Sequence, residues 1–343
     1  MEISVIIPAY NAEAYIERCL NSLVNQTITV PYEIVIVNDG SNDNTIEKVE
    51  NYICNYPDLI KLFSKKNGGQ SSARNMRLDK AEGKYIAFVD SDDYVDPNYL
   101  YHLYEMCKND GADIAMCAMN RCPGDSGEGV LFDSGFKVDF STKDIISVLK
   151  RSSFAPWNKL YRSSLWGGGR FPEGMTYEDF AVIPQVIYKA RLITYKHEIL
   201  YHYYVNEYST IMSSKLTRKT NRNIIKAQII LEKSELKNQK DVLGNFYIRR
   251  VLSSMAWSLC EYGEDFGEVR QLVDYALETY PQILSNEELY ATGYLSAEKK
   301  VFIRLLLQRH YFLARSFVFV FCSIKLLGKN ILRCIHNATT KDG

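Results

Sequence analysis

The first two apolar runs of the chain constrain its fold more than any other feature. ISVIIPA and YEIVIVN consist mostly of β-branched residues, and between them Ala14, Ile16, Cys19, Leu20 and Leu23 recur at helical spacing. Strands that are apolar at every position are typical of a parallel sheet buried on both faces. Parallel neighbours need a crossover connection, which is right-handed in nearly all known proteins. The pattern therefore predicts a βαβ unit at the N-terminus.

Strands and helices continue to alternate beyond this unit. Helical patterns at NTIEKVENYIC and ARNMRLDKAEG alternate with apolar strands at LIKLFSK and KYIAFVD, and ADIAMCAM adds a further strand. This order predicts an α/β fold, a Rossmann-like and mostly parallel sheet flanked by helices. Polar clusters follow four strands, and ligands bind at the carboxyl ends of strands in such sheets. We therefore expect one edge of the sheet to be lined by the clusters PAYN, NDGS, KNGG and DSDD.

The second half of the chain has a different pattern. WNKLYRSSLW and YEDFAVIPQVIYKA have the apolar spacing of helices, and LITYKHEILYHYYVN indicates two short strands. Only helical patterns follow beyond about Ser213. We predict two domains, residues 1–212 with the sheet and residues 213–343 as an all-helical C-terminal region.

The C-terminal region has an unusual charge distribution. From residue 299 to residue 333 it carries eight basic residues and no acidic one, with apolar side chains in most of the gaps. Such a basic amphipathic segment fits contact with an anionic membrane surface. The alternative is that it packs on the helical region or in a homodimer interface. The sequence leaves both interpretations open.

Net charge and cysteine spacing exclude some functions. The 41 Lys and Arg residues balance the 41 Asp and Glu residues, so we expect no nucleic-acid partner. The eight cysteines are scattered without a CxxC pair, which predicts reduced thiols in a cytoplasmic protein. The N-terminal MEISVIIPAYN lacks the basic stretch and long apolar run of a secretory signal.

Three carboxylates follow the KYIAFV strand. If the strand continues extended through them, Asp90 and Asp92 point to the same face, whereas Asp93 points elsewhere. Two convergent carboxylates suit Mg²⁺ or Mn²⁺, which proteins often hold with one or two carboxylates and the phosphates of a substrate. The alternative is a turn whose Asp and Ser side chains cap the helix that begins near Pro97.

Asp39 is a second candidate at a strand end. With Gly40 and Ser41 after it, its carboxylate can accept a hydrogen bond from a planar ring N–H or a ribose hydroxyl; a turn with a helix cap fits the same residues. The chain has neither a Walker A motif nor a GxGxxG after its first strand. A bound nucleotide would therefore need a metal ion for its phosphates.

The ordered set of motifs resembles a known family. SVIIPAYN, VNDGSNDNT, NGGQSSARN, GKYIAFVDSDD and TYEDF, in this order and at these spacings, resemble family 2 glycosyltransferases with the GT-A fold. The similarity extends over about the first two-thirds of the chain. WNKLYRSSLW is similar to a segment of bacterial capsular and exopolysaccharide transferases.

The resemblance implies roles for individual residues. It makes Asp179 the general base, with Glu178 beside it near the sugar. In the DxD motif, it implies that Asp90 contacts the ribose and sugar and that Asp92 binds the divalent ion. The remaining nucleotide-sugar contacts that it implies are Pro8, Ala9 and Tyr10 at the nucleoside, Asp39 at the uracil, Asn67, Arg74 and Ser91 within the site, and Ser209 at the diphosphate.

The function implied is that of a metal-dependent, inverting glycosyltransferase. It would use Mn²⁺ or Mg²⁺ to move a hexose or N-acetylhexosamine from a UDP-sugar to a hydroxyl of a surface polysaccharide or a lipid-linked oligosaccharide. The protein would be cytoplasmic, with its tail peripheral on the inner face of the membrane. The alternatives are a nucleotidyltransferase-like enzyme and a catalytically silent, membrane-associated assembly module.

Overall fold

The structure is a computed structural model of the 343-residue chain. It describes residues 1–78, 80–123, 130–132, 136–205, 217–261, 266–284 and 295–324. Within these residues the chain divides into two compact units, residues 1–237 and residues 238–343. The boundary predicted at residues 212 and 213 lies outside the described residues. Helix α7 (Thr217–Glu232) belongs to the first unit, where Asn223 Nδ2 donates a hydrogen bond to Thr176 Oγ1 at 3.2 Å.

Four parallel strands form one half of the sheet, in the spatial order β3, β2, β1, β4. These are β1 (Ile3–Ala9), β2 (Tyr32–Asn38), β3 (Ile60–Ser64) and β4 (Tyr85–Phe88). The crossovers between them are α1 (Ile16–Val24), α2 (Thr45–Asn55) and α3 (Gln70–Leu78). Since the four strands are parallel, the polar clusters that follow them lie at one edge, as the sequence predicts.

The other half of the sheet is mixed. β9 pairs antiparallel with both β4 and β6, and β10 pairs parallel with β6. The strands and helices of this half are β5 (Tyr94–Val95), α4 (Tyr99–Asn109), β6 (Ile114–Pro123), β7 (Val130–Phe132), β8 (Phe140–Thr142), α5 (Ile145–Arg151), β9 (Lys159–Arg162), α6 (Glu178–Tyr188) and β10 (Ile193–Val205). The predicted α/β architecture is confirmed.

The core explains the apolar runs. Every residue of β1 is buried, and α1 buries four of the five positions that recur at helical spacing in the sequence. The fifth, Ala14, lies before the helix and is exposed. A strand buried on both faces contributes roughly 25 cal/mol per Å² of apolar surface removed from water, which accounts for its mostly aliphatic composition.

Two local predictions are wrong. WNKLYRSSLW forms strand β9 followed by a 3-10 helix, Ser163–Trp166, rather than an α-helix. Lys159, Leu160 and Tyr161 are fully buried between β4 and β6, so tertiary pairing overrides the local spacing. LITYKHEILYHYYVN forms one strand, β10, whose register against β6 shifts between Lys196 and Tyr201, and this irregularity is what resembles a break in the sequence.

The second unit is helical throughout its described residues, as predicted. A 3-10 turn, Glu235–Asn238, leads into it, and α8 (Lys240–Phe246) continues through a π-helical stretch, Tyr247–Ala256, into α9 (Trp257–Glu261). Then follow α10 (Phe266–Thr279), a 3-10 turn (Pro281–Leu284), α11 (Ala297–Leu307) and a C-terminal helix, residues 311–324. Within the described part of the chain, no helix is both long enough and apolar enough to cross a bilayer.

Candidate active site

The loops that follow β1 and β2 are joined to each other. The Asn11 N–H donates to Ser41 Oγ at 3.0 Å, and the Asn42 N–H donates to Asn11 Oδ1 at 2.9 Å. Pro8 and Ala9 are buried within β1, whereas Tyr10 is 49 % exposed. Of the three predicted nucleoside contacts, Tyr10 therefore has an exposed side chain and Pro8 and Ala9 have buried ones.

Asp39 holds the next loop of the site. Its Oδ1 accepts hydrogen bonds from Lys65 Nζ at 2.8 Å and the Gly68 N–H at 3.0 Å, and its Oδ2 accepts from the Gly69 N–H at 2.7 Å. Gly40 has a φ of 77°, and a Cβ there would lie 2.9 Å from the Asn67 nitrogen. The close approach of the two backbones therefore requires glycine. Asn67 itself is exposed beside Asp39.

The carboxylates after β4 lie in a turn. The Asp93 N–H donates to the Asp90 carbonyl at 3.1 Å, so the chain is not extended from Asp90 to Asp93. Strand periodicity therefore does not apply to Asp90 and Asp92, and the expectation that it places them on one face is wrong. The two side chains still interact, since burial and then the Asp90 charge raise the pKa of Asp92 to about 6.

Arg18 contacts the same turn from helix α1. Its Nη2 donates to the Asp92 carbonyl at 2.8 Å. Its guanidinium lies over two aromatic rings, 4.9 Å from the centroid of Tyr94 and 4.2 Å from that of Tyr204. Such a stacked guanidinium is weakly hydrated and rigid, so it fixes the backbone at Asp92.

Asp93 anchors the turn to strand β10. Its Oδ2 accepts the Tyr201 hydroxyl at 2.6 Å and its Oδ1 accepts the Tyr204 N–H at 2.8 Å. The Asp90 N–H in turn donates to the Tyr201 hydroxyl oxygen at 3.3 Å. Asp93 is fully buried, and burial, then the charges of Asp92 and Asp90, raise its pKa well above the ordinary value. Asp93 is thus neither a helix cap nor a ligand-facing residue.

Arg74 connects the turn to helix α6. This residue of α3 is 2 % exposed, and it donates from Nη2 to Asp90 Oδ1 and from Nη1 to Glu178 Oε1, both at 2.9 Å. Phe171 covers it, with its ring centroid 5.3 Å from the guanidinium carbon. Burial lowers the pKa of Arg74, but the charges of Asp90 and Glu178 more than offset this, so the guanidinium stays charged.

The acidic pair stands in the first turn of α6. Tyr177 precedes it with a φ of 62°, a strained conformation for an aromatic residue and one that tends to occur at functional sites. Burial and then the Asp179 charge raise the pKa of Glu178, and Arg74 opposes this rise. Asp179 is half-buried, and its Oδ1 accepts the Phe180 N–H at 2.7 Å.

Lys159 is a fully buried amine that interacts electrostatically with Asp179. Its Nζ donates to the Ala155 carbonyl at 2.9 Å and to Asn158 Oδ1 at 2.8 Å. Burial lowers the pKa of Lys159 to about 7, and Asp179 is among the charges that oppose this fall. Lys159 therefore does not reach out to a phosphate or acceptor from the surface.

The chain is similar to proteins of one family. A family model described as glycosyl transferase family 2 matches residues 4–167. An uncharacterized glycosyltransferase, YibD of Escherichia coli K12, is 34 % identical over 254 residues, which are 68 % of this chain and 70 % of YibD. The chain belongs to glycosyl transferase family 2.

The longer relatives of this family 2 protein extend well beyond the match. The poly(ribitol-phosphate) beta-glucosyltransferase of Bacillus spizizenii is 33 % identical over 218 residues, 62 % of this chain but 34 % of that protein. The chain thus spans only about a third of that relative.

Solved structures share the fold of this family 2 protein. Staphylococcus aureus TarS, in complex with UDP-GlcNAc, superposes with a TM-score of 0.70 at 23 % identity over 94 % of this chain and 92 % of TarS. The mannosyltransferase PcManGT of Pyrobaculum calidifontis, in complex with GDP-Man and Mn²⁺, gives 0.54 at 14 % identity over 93 % and 87 %. Both likenesses establish the GT-A fold of this chain.

The structure brings together part of the predicted site of this transferase. Arg74 joins Asp90 to Glu178, and Asp92 and Asp179 are the sequence neighbours of those two carboxylates. Other predicted contacts occupy the same sheet edge, namely Tyr10, Asp39, Asn67 and Ser91. Ser209 lies outside the described residues. The individual roles that the family resemblance implies stay predictions.

The sequence did not indicate several residues of the site. Arg18, Lys65 and Tyr201 each bond a candidate residue that is between 26 and 111 positions away. Partners so distant leave no local pattern in one sequence. The one usable signal was the alternation of aromatic residues in ILYHYYV, which places Tyr201 and Tyr203 on one face of β10.

The turn offers two carboxylates, Asp90 and Asp92, as ligands for a divalent ion. Within the part of the chain that the structure describes, no group of three or more Asp, Glu, His or Cys side chains is placed to hold a metal ion. Asp90 and Asp92 supply two carboxylates, and burial, then the Asp90 charge, raise the pKa of Asp92. Such a pair suits Mg²⁺ or Mn²⁺ when substrate phosphates and water complete the coordination.

Proposed function

We propose that this family 2 protein is an inverting, metal-dependent transferase that moves a sugar from a UDP-sugar to a hydroxyl group. The acceptor is a surface polysaccharide or its lipid-linked precursor. The observation that carries the proposal is the Asp90–Arg74–Glu178 bridge. It ties the turn that would hold the donor diphosphate to the helix whose first turn would hold the base.

Asp179 is the group that removes the acceptor proton. An ionised carboxylate within hydrogen-bond reach of a hydroxyl can do this as the hydroxyl attacks. It stands in the first turn of α6, where the helix dipole stabilises negative charge. Attack from the side opposite the departing UDP inverts the anomeric centre. Glu178, paired to Arg74, holds this turn of α6 in place.

Asp92 and Asp90 are the residues that would hold the divalent ion. When bound, the ion supplies Lewis-acid stabilisation of the departing diphosphate. The protein holds the backbone of the turn that carries both carboxylates before the substrate arrives, since Arg18 bonds the Asp92 carbonyl and the Tyr201 hydroxyl accepts the Asp90 N–H. Such preorganisation avoids reordering polar groups during the reaction.

The similar proteins support the choice of donor and acceptor. TarS is described in complex with UDP-GlcNAc, which supports a UDP-sugar donor. The Bacillus spizizenii relative, by its name, adds glucose to poly(ribitol phosphate), which supports a polyol or sugar hydroxyl of a surface polymer. The seven cysteines among the described residues are all free thiols, in keeping with a reducing, cytoplasmic setting.

The test is a donor screen that measures nucleotide release with Mn²⁺, with Mg²⁺ and with chelator. UDP-sugars are compared with GDP-mannose, and wild type is compared with Asp92→Ala and Asp179→Asn. We expect Asp92→Ala to weaken donor binding in the presence of Mn²⁺. We expect Asp179→Asn to bind UDP normally but to lose about 10²- to 10⁴-fold in turnover.

Asp110→Asn is the matched control, because Asp110 is an exposed carboxylate at the end of α4. It should leave both binding and turnover unchanged. Release of no nucleotide from any donor, or full activity in both site variants with an acceptor present, would show that the proposed mechanism is wrong.

A further inference from the structure

The C-terminal helix (residues 311–324) has apolar side chains on two opposite sides. On the inner side Ala314 and Val318 are fully buried, and the rings of Phe317 and Phe321 meet Trp257 at centroid distances of 6.5 and 5.7 Å. This inner side accounts for the attachment of the helix to the second unit. It leaves the outer side without a structural explanation.

The outer side is an exposed apolar face. Its members and their exposed fractions are Phe312 at 77 %, Leu313 at 53 %, Phe319 at 68 %, Val320 at 53 % and Ile324 at 63 %. At 3.6 residues per turn these positions cluster on one side, with Ser316 and Ser323 between them. Single exposed apolar residues need no explanation, but five on one helix face mark an interaction surface.

The charge of the sequence segment that contains this face indicates its partner. The sequence from residue 299 to residue 333 contains eight basic residues and no acidic one. Among the described basic residues, Arg304 is exposed and Arg309 is 62 % exposed while it pairs with Asp274 at 3.0 Å. An apolar helix face within a basic segment is the arrangement that lies in the interface of an anionic bilayer.

A second copy of the chain fits this surface less well. A two-fold symmetric interface places the same patch of each protomer opposite itself. Here it would bring two basic segments together, and like charges across an interface are repulsive. An anionic lipid surface can bury the apolar face among its acyl chains and attract the basic residues of the same segment.

We propose that the outer face of the C-terminal helix, residues 312, 313, 319, 320 and 324, inserts into the interface of an anionic membrane. The phenyl rings enter the boundary between headgroups and acyl chains, while the basic residues contact lipid phosphates. The attachment is peripheral and reversible. This surface binds independently of nucleotide sugar, so the proposal stands or falls separately from the proposed transferase function.

The test is co-sedimentation of the full chain with vesicles, without donor or metal. Vesicles of phosphatidylcholine alone are compared with vesicles in which part of it is replaced by phosphatidylglycerol, at low and high salt. We expect binding to the anionic vesicles, weakened by salt. Phe312→Ser/Phe319→Ser should reduce it at least about tenfold, because burial of each phenyl group contributes strongly to partitioning. Lys300→Gln/Arg304→Gln should reduce it by roughly fivefold per charge removed.

The matched control is Tyr56→Ser/Tyr101→Ser, which removes two exposed aromatic rings from the first unit and should bind as wild type does. Thermal unfolding checks each variant, and Leu313→Ser/Val320→Ser provides a second disruption of the same face. Absence of wild-type binding to anionic vesicles overturns the proposal. So does unchanged binding when both outer-face pairs are removed, or a wild-type dimer in size-exclusion chromatography that these variants convert to monomer.

Discussion

Replacing Arg74 by methionine tests the central contact of the site. The guanidinium is 2 % exposed and bonds two carboxylates at 2.9 Å, and methionine fills similar space without charge. The substitution leaves Asp90 and Glu178, whose side chains are only 17 % and 13 % exposed, without their shared cation. Breaking a buried ion pair from one side costs about 3–5 kcal/mol, chiefly through the charge that remains. We expect a loss of this size in the free energy of unfolding at about pH 8.

The pH dependence of this loss identifies its cause. Burial and then Asp179 already raise the pKa of Glu178, and Arg74 opposes the rise, so the variant raises this pKa further. An acid whose pKa is higher in the folded than in the unfolded state destabilises the fold above its unfolded pKa. Protonation relieves that destabilisation as the pH falls through the folded pKa. The cost of Arg74→Met should therefore be smaller at about pH 5 than at about pH 8.

The assay is urea denaturation of wild type and variants at both pH values, followed by fluorescence. Arg74→Lys is the matched control, because its single ammonium keeps the charge but loses the planar fork that bridges two carboxylates. Adding Glu178→Gln to Arg74→Met should recover part of the lost stability at the higher pH. An equal cost at both pH values, or a double variant that loses the sum of the two single costs, would refute the unpaired-carboxylate explanation.

Three further predictions concern buried polar groups. Asp113→Asn should lower the free energy of unfolding by about 2 kcal/mol at neutral pH. The reason is that hydrogen bonds from two arginines outweigh the effect of burial and lower the pKa of Asp113 to about 2. In denaturation experiments, the difference between wild type and variant should shrink as the pH falls below about 4. Tyr201→Phe removes the hydroxyl that donates to buried Asp93 and should lower stability by about 1–3 kcal/mol, measured by thermal unfolding. Tyr99→Phe should lower stability little, because the equally buried Tyr99 hydroxyl has no partner among the described residues. In urea denaturation, the stability of wild type relative to Lys159→Met should rise by about 2 kcal/mol between about pH 7 and about pH 9. In this range the folded protein loses the proton of Lys159, whose pKa is about 7, whereas the unfolded chain keeps it.

The sequence predicted the elements whose periodicity comes from their own burial. β1 and α1 are correct because each bears the apolar pattern of its final environment. β9 and β10 were mistaken because long-range pairing decides their form. β9 fills the space between β4 and β6, and β10 accommodates a register shift against β6. Neither neighbour is visible in the local sequence.

The candidate site shows the same division. The motif order selected Asp90, Glu178 and Arg74 individually, but not the contacts among them. Arg74 and Glu178 are 104 positions apart, and their bond depends on how α3 and α6 pack around the sheet edge. A pattern of residue types along one chain holds no record of such a contact. The structure supplies it, and with it the reason why an arginine can be buried there.

The turn after β4 places three carboxylates within four residues, and their different partners separate their tasks. Asp90 faces a buried guanidinium, and Asp93 is held by a hydroxyl and a backbone N–H of β10. No side chain in the part of the chain that the structure describes forms an ion pair or hydrogen bond with the Asp92 carboxylate, and burial, then the Asp90 charge, raise its pKa to about 6. Because the fold satisfies Asp93 internally and pairs Asp90 to α3, an added cation would relieve repulsion most at Asp92. The order of partners along the turn, rather than the number of acids, therefore makes Asp92 the strongest candidate for the metal-holding residue.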